Sequence, residues 1–185
     1  MNSPRPLPLH VSATFTAEPL REPLAYWMHL LGLDASISFA GYGQVLQEML
    51  DPASASGTLG ADGFALFLVR PGDLTEKGDA AGIVSEITDA LSRLAARSRA
   101  THLLVFCPEA DTPTAAHQSI EDTANQALRH LGNVEVISSQ RLAVLYPVSD
   151  PFDPEADRSG RIPYTEPMFA ALATMLARRI SLRCR

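Results

Sequence analysis

The sequence predicts an α/β protein, a three-layer α/β/α sandwich in which helices cover both faces of a five-stranded parallel sheet. Short apolar segments alternate with helix-period segments along all 185 residues, a rhythm that calls for right-handed βαβ crossovers. Phe64–Val69 is apolar at every position, as a strand covered on both faces must be. With 46% hydrophobic and 19% charged residues, the chain can build one core, and a single domain of this length buries roughly 70% of its unfolded surface.

Residues 7–15 form a short, partly β-branched apolar run, the first strand. It stops at Thr16-Ala17-Glu18-Pro19, where Thr16 is placed to cap a helix and Pro19 fits the first turn. In that helix Leu20, Leu24, Trp27, Met28 and Leu31 share one face, and Gly32 ends it. Residues 35–41 alternate Ile37 and Phe39 with serines, a second strand, and residues 44–50 make a short helix that Asp51-Pro52 breaks. The small, polar stretch 53–63 is a surface loop before the third strand, Phe64–Val69. Pro71-Gly72-Asp73 reads as a turn, and residues 79–99 then carry Ile83, Ile87, Leu91, Leu94 and Ala95 at helical spacing. A fourth strand at 103–107, a helix from Thr114 to residue 131 stopped by Gly132, a fifth strand at Val134–Ile137 and a short helix at 140–145 continue the alternation. Residues 147–164 are a long loop able to fold across the sheet edge. The last helix, 168–182, turns Met168, Leu172, Met175, Leu176 and Ile180 inward. The strand order expected is flavodoxin-like, 2-1-3-4-5, with the ligand crevice beyond the C-terminal ends of the strands. Residues 12–18, 41–44, 70–73, 107–112 and those from Ser138 onward fall at that edge.

Composition excludes several classes. The net charge is −6, Lys77 is the sole lysine among fifteen basic residues, and no dense basic run precedes Arg178, Arg179, Arg183 and Arg185. Nucleic acid is therefore not an expected partner. No apolar run approaches the roughly 20 residues of a membrane span, and Pro4, Pro6 and Pro8 interrupt the segment where a signal helix would stand. A cytoplasmic protein without membrane contact is expected. Cys107 and Cys184 make neither a C-x-x-C pair nor a disulfide framework, and no four-ligand Cys/His cluster exists. No metal or cofactor is expected.

Gly41-x-Gly43 falls short of a dinucleotide fingerprint, because Leu46 stands where a third glycine is needed. Walker, H-E-x-x-H and G-x-S-x-G motifs are absent. Cys107 at a strand end could act as a thiolate if a histidine approached, but it reads better as a small buried residue. His29, His117 and His130 fall on helices, His102 opens a strand, and His10 alone heads toward the crevice edge; each reads as surface or packing. Asp150, Asp153, Glu155 and Asp157 lack the calcium-loop spacing, and Asp-Pro turns explain them.

The crevice segments carry a resemblance. Phe15-Thr16-Ala17-Glu18-Pro19-Leu20; Phe39-Ala40-Gly41-Tyr42-Gly43-Gln44-Val45 with Leu50-Asp51-Pro52-Ala53-Ser54; Val69-Arg70-Pro71-Gly72-Asp73; Tyr146-Pro147-Val148; and Asp153-Pro154-x-Ala156-Asp157-x-x-Gly160-x-Ile162-Pro163-Tyr164-Thr165 together resemble one family. It is the SGNH-like domain at the N-terminus of FkbH-like proteins and of many bacterial nonribosomal peptide and polyketide synthetase subunits. The match runs over residues 9–180. It implies an SGNH-hydrolase-like fold, one domain over residues 1–185 as the N-terminal fragment of a longer chain, and adjacent synthetase domains, a carrier protein or a partner subunit as partners.

Departures from the family pattern fall at the chemistry. The family commonly has Ala-Pro-Tyr-Asn-Gln where this chain has Ala40-Gly41-Tyr42-Gly43-Gln44, a tryptophan at Leu74, and a histidine at Arg161. An SGNH hydrolase needs a serine after the first strand, a histidine base held by an aspartate in the last loop, and a glycine and an asparagine donating to the oxyanion. Here Ser12-Ala13-Thr14-Phe15-Thr16 replaces Gly-Asp-Ser, Arg70-Pro71-Gly72-Asp73 replaces Gly-x-Asn-Asp, and Arg161 keeps its proton at neutral pH. The expected function is that of a non-catalytic structural or docking domain. The alternative is FkbH-like acyl (glyceryl-type) transfer to or from a carrier-protein phosphopantetheine. Candidate crevice residues are Thr14, Thr16, Gly41, Tyr42, Gln44, Arg70, Asp73, Asp157, Arg161 and Tyr164, none expected to be catalytic. Arg161 is expected over the crevice near Asp73 or Asp157, and Arg178 and Arg179 to face an acidic partner.

Overall fold

Residues 6–75, 80–110 and 115–184 are described by a computed structural model. Leu7–Ala13 (β1) pairs in parallel with Ala35–Phe39 (β2) on one side and with Phe64–Val69 (β3) on the other. Thr101–Phe106 (β4) and Val134–Ile137 (β5) extend the sheet beyond β3, giving the order β2-β1-β3-β4-β5. The chain thus steps from β1 to one edge, crosses back, and builds outward the other way. The expected five-stranded parallel sheet and its order are borne out, with the switch point between β1 and β3.

Side-chain alternation along the strands divides the core in two. Leu9, Val11, Leu66, Leu68, Leu103 and Val105 face Arg21–Leu30 (α1) and Glu166–Arg183 (α8). Ala65, Phe67, Val69, Leu104 and Phe106 face Val45–Leu50 (α2), Ala80–Arg97 (α4) and Ala115–Leu128 (α5). β3 is buried at all six positions, as its unbroken apolar run requires. On the α2 face β1 is polar instead: His10, Ser12 and Thr14 are all buried there.

Several local expectations are corrected. Thr16 caps no helix; a 3-10 turn at Glu18–Leu20 precedes α1, its N-cap is Ala17, and the Thr16 hydroxyl goes elsewhere. Leu31 is 39% exposed because α1 ends at Leu30 and the apolar face stops with it. Pro71 opens a helix, Pro71–Thr75 (α3), rather than a turn, since its fixed φ suits the first helical position. Ser138 caps Ser139–Leu145 (α6) by accepting from Arg141 N. The 147–164 loop contains Pro154–Gly160 (α7), where Asp153 Oδ1 accepts from Ala156 N at 2.9 Å and Pro154 sits in the first turn. Lys77, Thr112, Thr114 and Arg185, together with the side chains of Leu74 and His117, lie outside the description. Among the described residues no helix is long and apolar enough to cross a membrane.

Candidate functional site

The ladder between β1 and β3 runs one residue past β1: Thr14 N donates to Leu68 O at 3.0 Å. That pins the Thr14 hydroxyl at the start of α3, where it accepts from Arg70 N at 3.0 Å and donates to Asp73 Oδ2 at 2.8 Å. Arg70 grips Asp73 with two arms, Nε to Oδ2 at 2.8 Å and Nη2 to Oδ1 at 2.5 Å. Its third arm reaches Asp157 Oδ2 on α7, with Nη1 donating at 2.7 Å. Arg70 and Asp73 are 12% and 10% exposed at the side chain, Asp157 28%. Burial works against the Arg70 charge, but hydrogen bonds to Asp73 and Asp157 outweigh it and raise the guanidinium pKa. Four of the candidate residues are therefore one network, a hydroxyl and a guanidinium shared between two carboxylates.

A second set of contacts lies above it. Arg161, the C-cap of α7, adopts left-handed backbone with φ 55°. Its Nε donates to Tyr42 Oη at 3.0 Å, and its carbonyl accepts from Thr16 N at 2.8 Å. Thr16 Oγ1 donates to Gly160 O at 2.7 Å, so both polar groups of Thr16 tie the end of α7 down. Arg161 does lie over the crevice, lining with Thr14, Tyr42, Asp73 and Glu86 a cavity of about 250 Å³ floored by Leu46, Ile83 and Ile87. Asp73 and Asp157 are both bonded by Arg70, which grips Asp73 bidentately.

The remaining candidates serve the scaffold. Gly41 N donates to Gln44 Oε1 at 3.1 Å, closing the loop before α2 on itself. Tyr164 is buried beneath the crevice; its hydroxyl donates to Pro108 O at 2.6 Å and its ring meets Phe15 and Phe169 edge-on. Glu86, Leu46 and Ile83 escaped sequence reasoning because helical periodicity ranks positions by face and is blind to which turn of a helix reaches a crevice.

Cys107 is fully buried, and burial pushes its thiol far above the ordinary range, which leaves the packing reading. His102 is fully buried, and burial followed by Arg97 lowers it to about 4. His10 is buried against Ser38 and Glu48. Among the described residues no imidazole contacts Thr14 or Thr16, and no group of three His, Cys, Asp or Glu side chains is placed to hold a metal ion.

No protein-family model and no curated protein matches the sequence. Solved structures do match. The N-terminal part of the protein BF1531 from Bacteroides fragilis, containing a phosphatase domain complexed with Mg, superposes with a TM-score of 0.75 at 12% identity over 91% of this chain. A family two carbohydrate esterase from Clostridium thermocellum in complex with cellohexaose gives 0.59 at 11% identity over 100% of this chain and 67% of its own. The salicylyl-acyltransferase SsfX3 from a tetracycline biosynthetic pathway gives 0.55 at 17% identity over 100% of this chain and 56% of its own. The fold is SGNH-hydrolase-like. At these identities the likeness shows the fold alone, and this chain spans about half, 50%, of the BF1531 structure.

Proposed function

We propose that this SGNH-like domain is non-catalytic in its crevice and serves as a structural or docking module of a nonribosomal peptide or polyketide synthetase. The observation that supports the silent crevice is the partner of Thr14. The hydroxyl in the nucleophile's place donates to Asp73, whose two oxygens are both held by Arg70. A carboxylate neutralised in that way is a poor proton acceptor, and Arg161 accepts no proton at neutral pH. Acyl transfer through a serine-type hydroxyl needs a base that takes the proton and returns it to the leaving group. Turnover of p-nitrophenyl acetate and of acyl-carrier thioesters tests the reading: we expect none that depends on Thr14 or Thr16. Steady turnover lost in Thr14→Ala or Thr16→Ala overturns it.

The docking half of the reading rests on the sequence resemblance and on what a silent domain has left to offer, a surface. The basic end of α8 is partly spoken for within the domain, since Arg178 Nη1 donates to Tyr146 Oη at 3.0 Å and Arg179 pairs with Glu135 at 3.1 Å. Deleting residues 1–185 from a longer synthetase that carries them should impair assembly or product formation while downstream activities persist; unchanged yield and assembly overturn the docking role. A second reading is FkbH-like acyl (glyceryl-type) transfer to or from a carrier phosphopantetheine. It is favoured by the likeness to a structure containing a phosphatase domain and to an acyltransferase. Loss of acyl loading alone after the deletion selects it.

A further inference from the structure

A second polar cluster stands apart from the crevice, on the α2 face of the sheet near the β2 edge. His10 on β1 is 4% exposed. Its Nδ1 lies 2.8 Å from Ser38 Oγ on β2, and its Nε2 lies 3.3 Å from Glu48 Oε2 on α2, within ion-pair distance though not aligned as a hydrogen bond. Glu48 is buried too, and its Oε2 accepts from Ser56 N at 2.9 Å. Ser38 is exposed, because β2 is the edge strand. A hydroxyl open to solvent, an imidazole and a carboxylate thus stand in line, each supplied by a different element.

The neighbours fix the tautomer. A lone pair on Nε2 would confront a carboxylate oxygen, so the ring proton belongs on Nε2. Nδ1 then carries the lone pair and accepts the Ser38 hydroxyl, whose other acceptor, Leu9 O, is farther away at 3.3 Å. Burial keeps His10 below its ordinary pKa, against the opposing pull of Glu48. The ring is therefore neutral at pH 7, with its Nδ1 lone pair facing the Ser38 hydroxyl.

We propose that Ser38 is a nucleophilic serine, with His10 as its general base and Glu48 as the group that orients the ring, and that it reacts with activated acyl and phosphonyl electrophiles arriving at the open edge of the sheet. With an aryl ester or a thioester, Ser38 Oγ bonds to the carbonyl carbon and its proton passes to His10 Nδ1. As the C–O or C–S bond breaks, that proton leaves with the phenol or thiol; with a fluorophosphonate, Oγ bonds to phosphorus, the P–F bond breaks and fluoride leaves with the proton. The product is an O-acyl serine, and no further reactant is required. The crevice is a separate network: Thr14 is bonded to Arg70 and Asp73, and among the described residues Ser38 hydrogen-bonds to His10 and Leu9 instead.

The experiment treats the full chain with a fluorophosphonate probe and maps the adduct by peptide mass spectrometry. Ser36, exposed on the same strand two residues away and without an imidazole contact, is the internal control. We expect the adduct on Ser38 at least about a hundred-fold faster than on Ser36, the lower end of the range for general-base assistance. Ser38→Ala should abolish it, and His10→Gln and Glu48→Gln should each slow it by a similar factor, with folding checked by circular dichroism. If either buried variant fails to fold, the Ser38 to Ser36 ratio in the unaltered chain still decides. Equal labelling of the two serines, or an adduct on Thr14 or Thr16 instead of Ser38, overturns the proposal. The silent crevice is refuted separately, by Thr14-dependent turnover.

Discussion

Replacing Arg70 with methionine removes the cation that bonds both Asp73 and Asp157. The Arg70–Asp73 pair is almost dry, at 12% and 10% side-chain exposure, and is joined by two hydrogen bonds of 2.5 and 2.8 Å. Removing one partner of such a pair leaves a buried charge uncompensated, at a cost of about 3–5 kcal/mol. The Asp157 arm adds less, because that carboxylate is 28% exposed and water can take over part of the contact. A loss of about 3–4 kcal/mol is therefore expected for Arg70→Met in urea denaturation at pH 7, with the denaturant slope unchanged. Much of it comes from the stranded Asp73, so Arg70→Met with Asp73→Asn should recover roughly half or more of the loss. A cost below about 1 kcal/mol, or a double variant no more stable than the single one, would refute the view that Arg70 neutralises Asp73.

His102 is buried with no hydrogen-bond partner at either ring nitrogen among the described residues, and burial, aided by Arg97, lowers it from 6.5 to about 4. The folded state resists its protonation, so its contribution is complete above pH 6.5 and falls by up to about 3 kcal/mol as pH drops toward 4; His102→Leu should remove that part of the decline, and parallel declines in the two proteins would contradict it. Arg161→His places an imidazole where the resembled family has one, yet p-nitrophenyl acetate turnover that depends on Thr14 should not appear, because the Thr14 hydroxyl stays committed to Asp73; steady turnover in that variant that a further Thr14→Ala change removes would contradict this.

Fold class, strand order and nearly all elements were legible because each rests on a signal contained in a short window. The apolar run at Phe64–Val69 and the helical spacing of Leu172, Met175, Leu176 and Ile180 are such signals, and all these residues are buried. Helix α7 was missed because Asp-Pro reads equally as a turn and as a capped helix start, and the difference lies in whether Asp153 Oδ1 finds Ala156 N. The site was legible as a set of positions but not as a set of partners. Arg70 and Arg161 both fall at the crevice edge in the sequence; their division of labour depends on Arg70 lying three residues before Asp73 at the opening of α3, while Arg161 is turned toward Tyr42 by its left-handed backbone. His10, Ser38 and Glu48 were out of reach altogether. They lie 28 and 10 residues apart in the chain and meet only through the register in which His10 faces Ser38 across the β1–β2 pair.

Partnership also separates the two polar clusters chemically. A site that performs acyl transfer keeps its hydroxyl paired with a group able to take a proton, and keeps its oxyanion donors open to substrate. In the crevice most hydroxyls and charges are taken up by one another: Thr14 with Arg70 N and Asp73, Arg70 with both carboxylates, Thr16 with Gly160, while Asp157 Oδ1 is buried without a hydrogen-bond partner among the described residues. Several of those bonds tie α3 or α7 to the end of the sheet, so the polar residues there attach the 147–164 segment. At the β2 edge the order is reversed. Ser38 contributes little to packing, being exposed, yet its hydroxyl meets a neutral imidazole backed by a buried carboxylate. Proton-transfer geometry favours nucleophilic chemistry at Ser38 over Thr14, because the Ser38 hydroxyl faces an imidazole while the Thr14 hydroxyl donates to a carboxylate already held by Arg70.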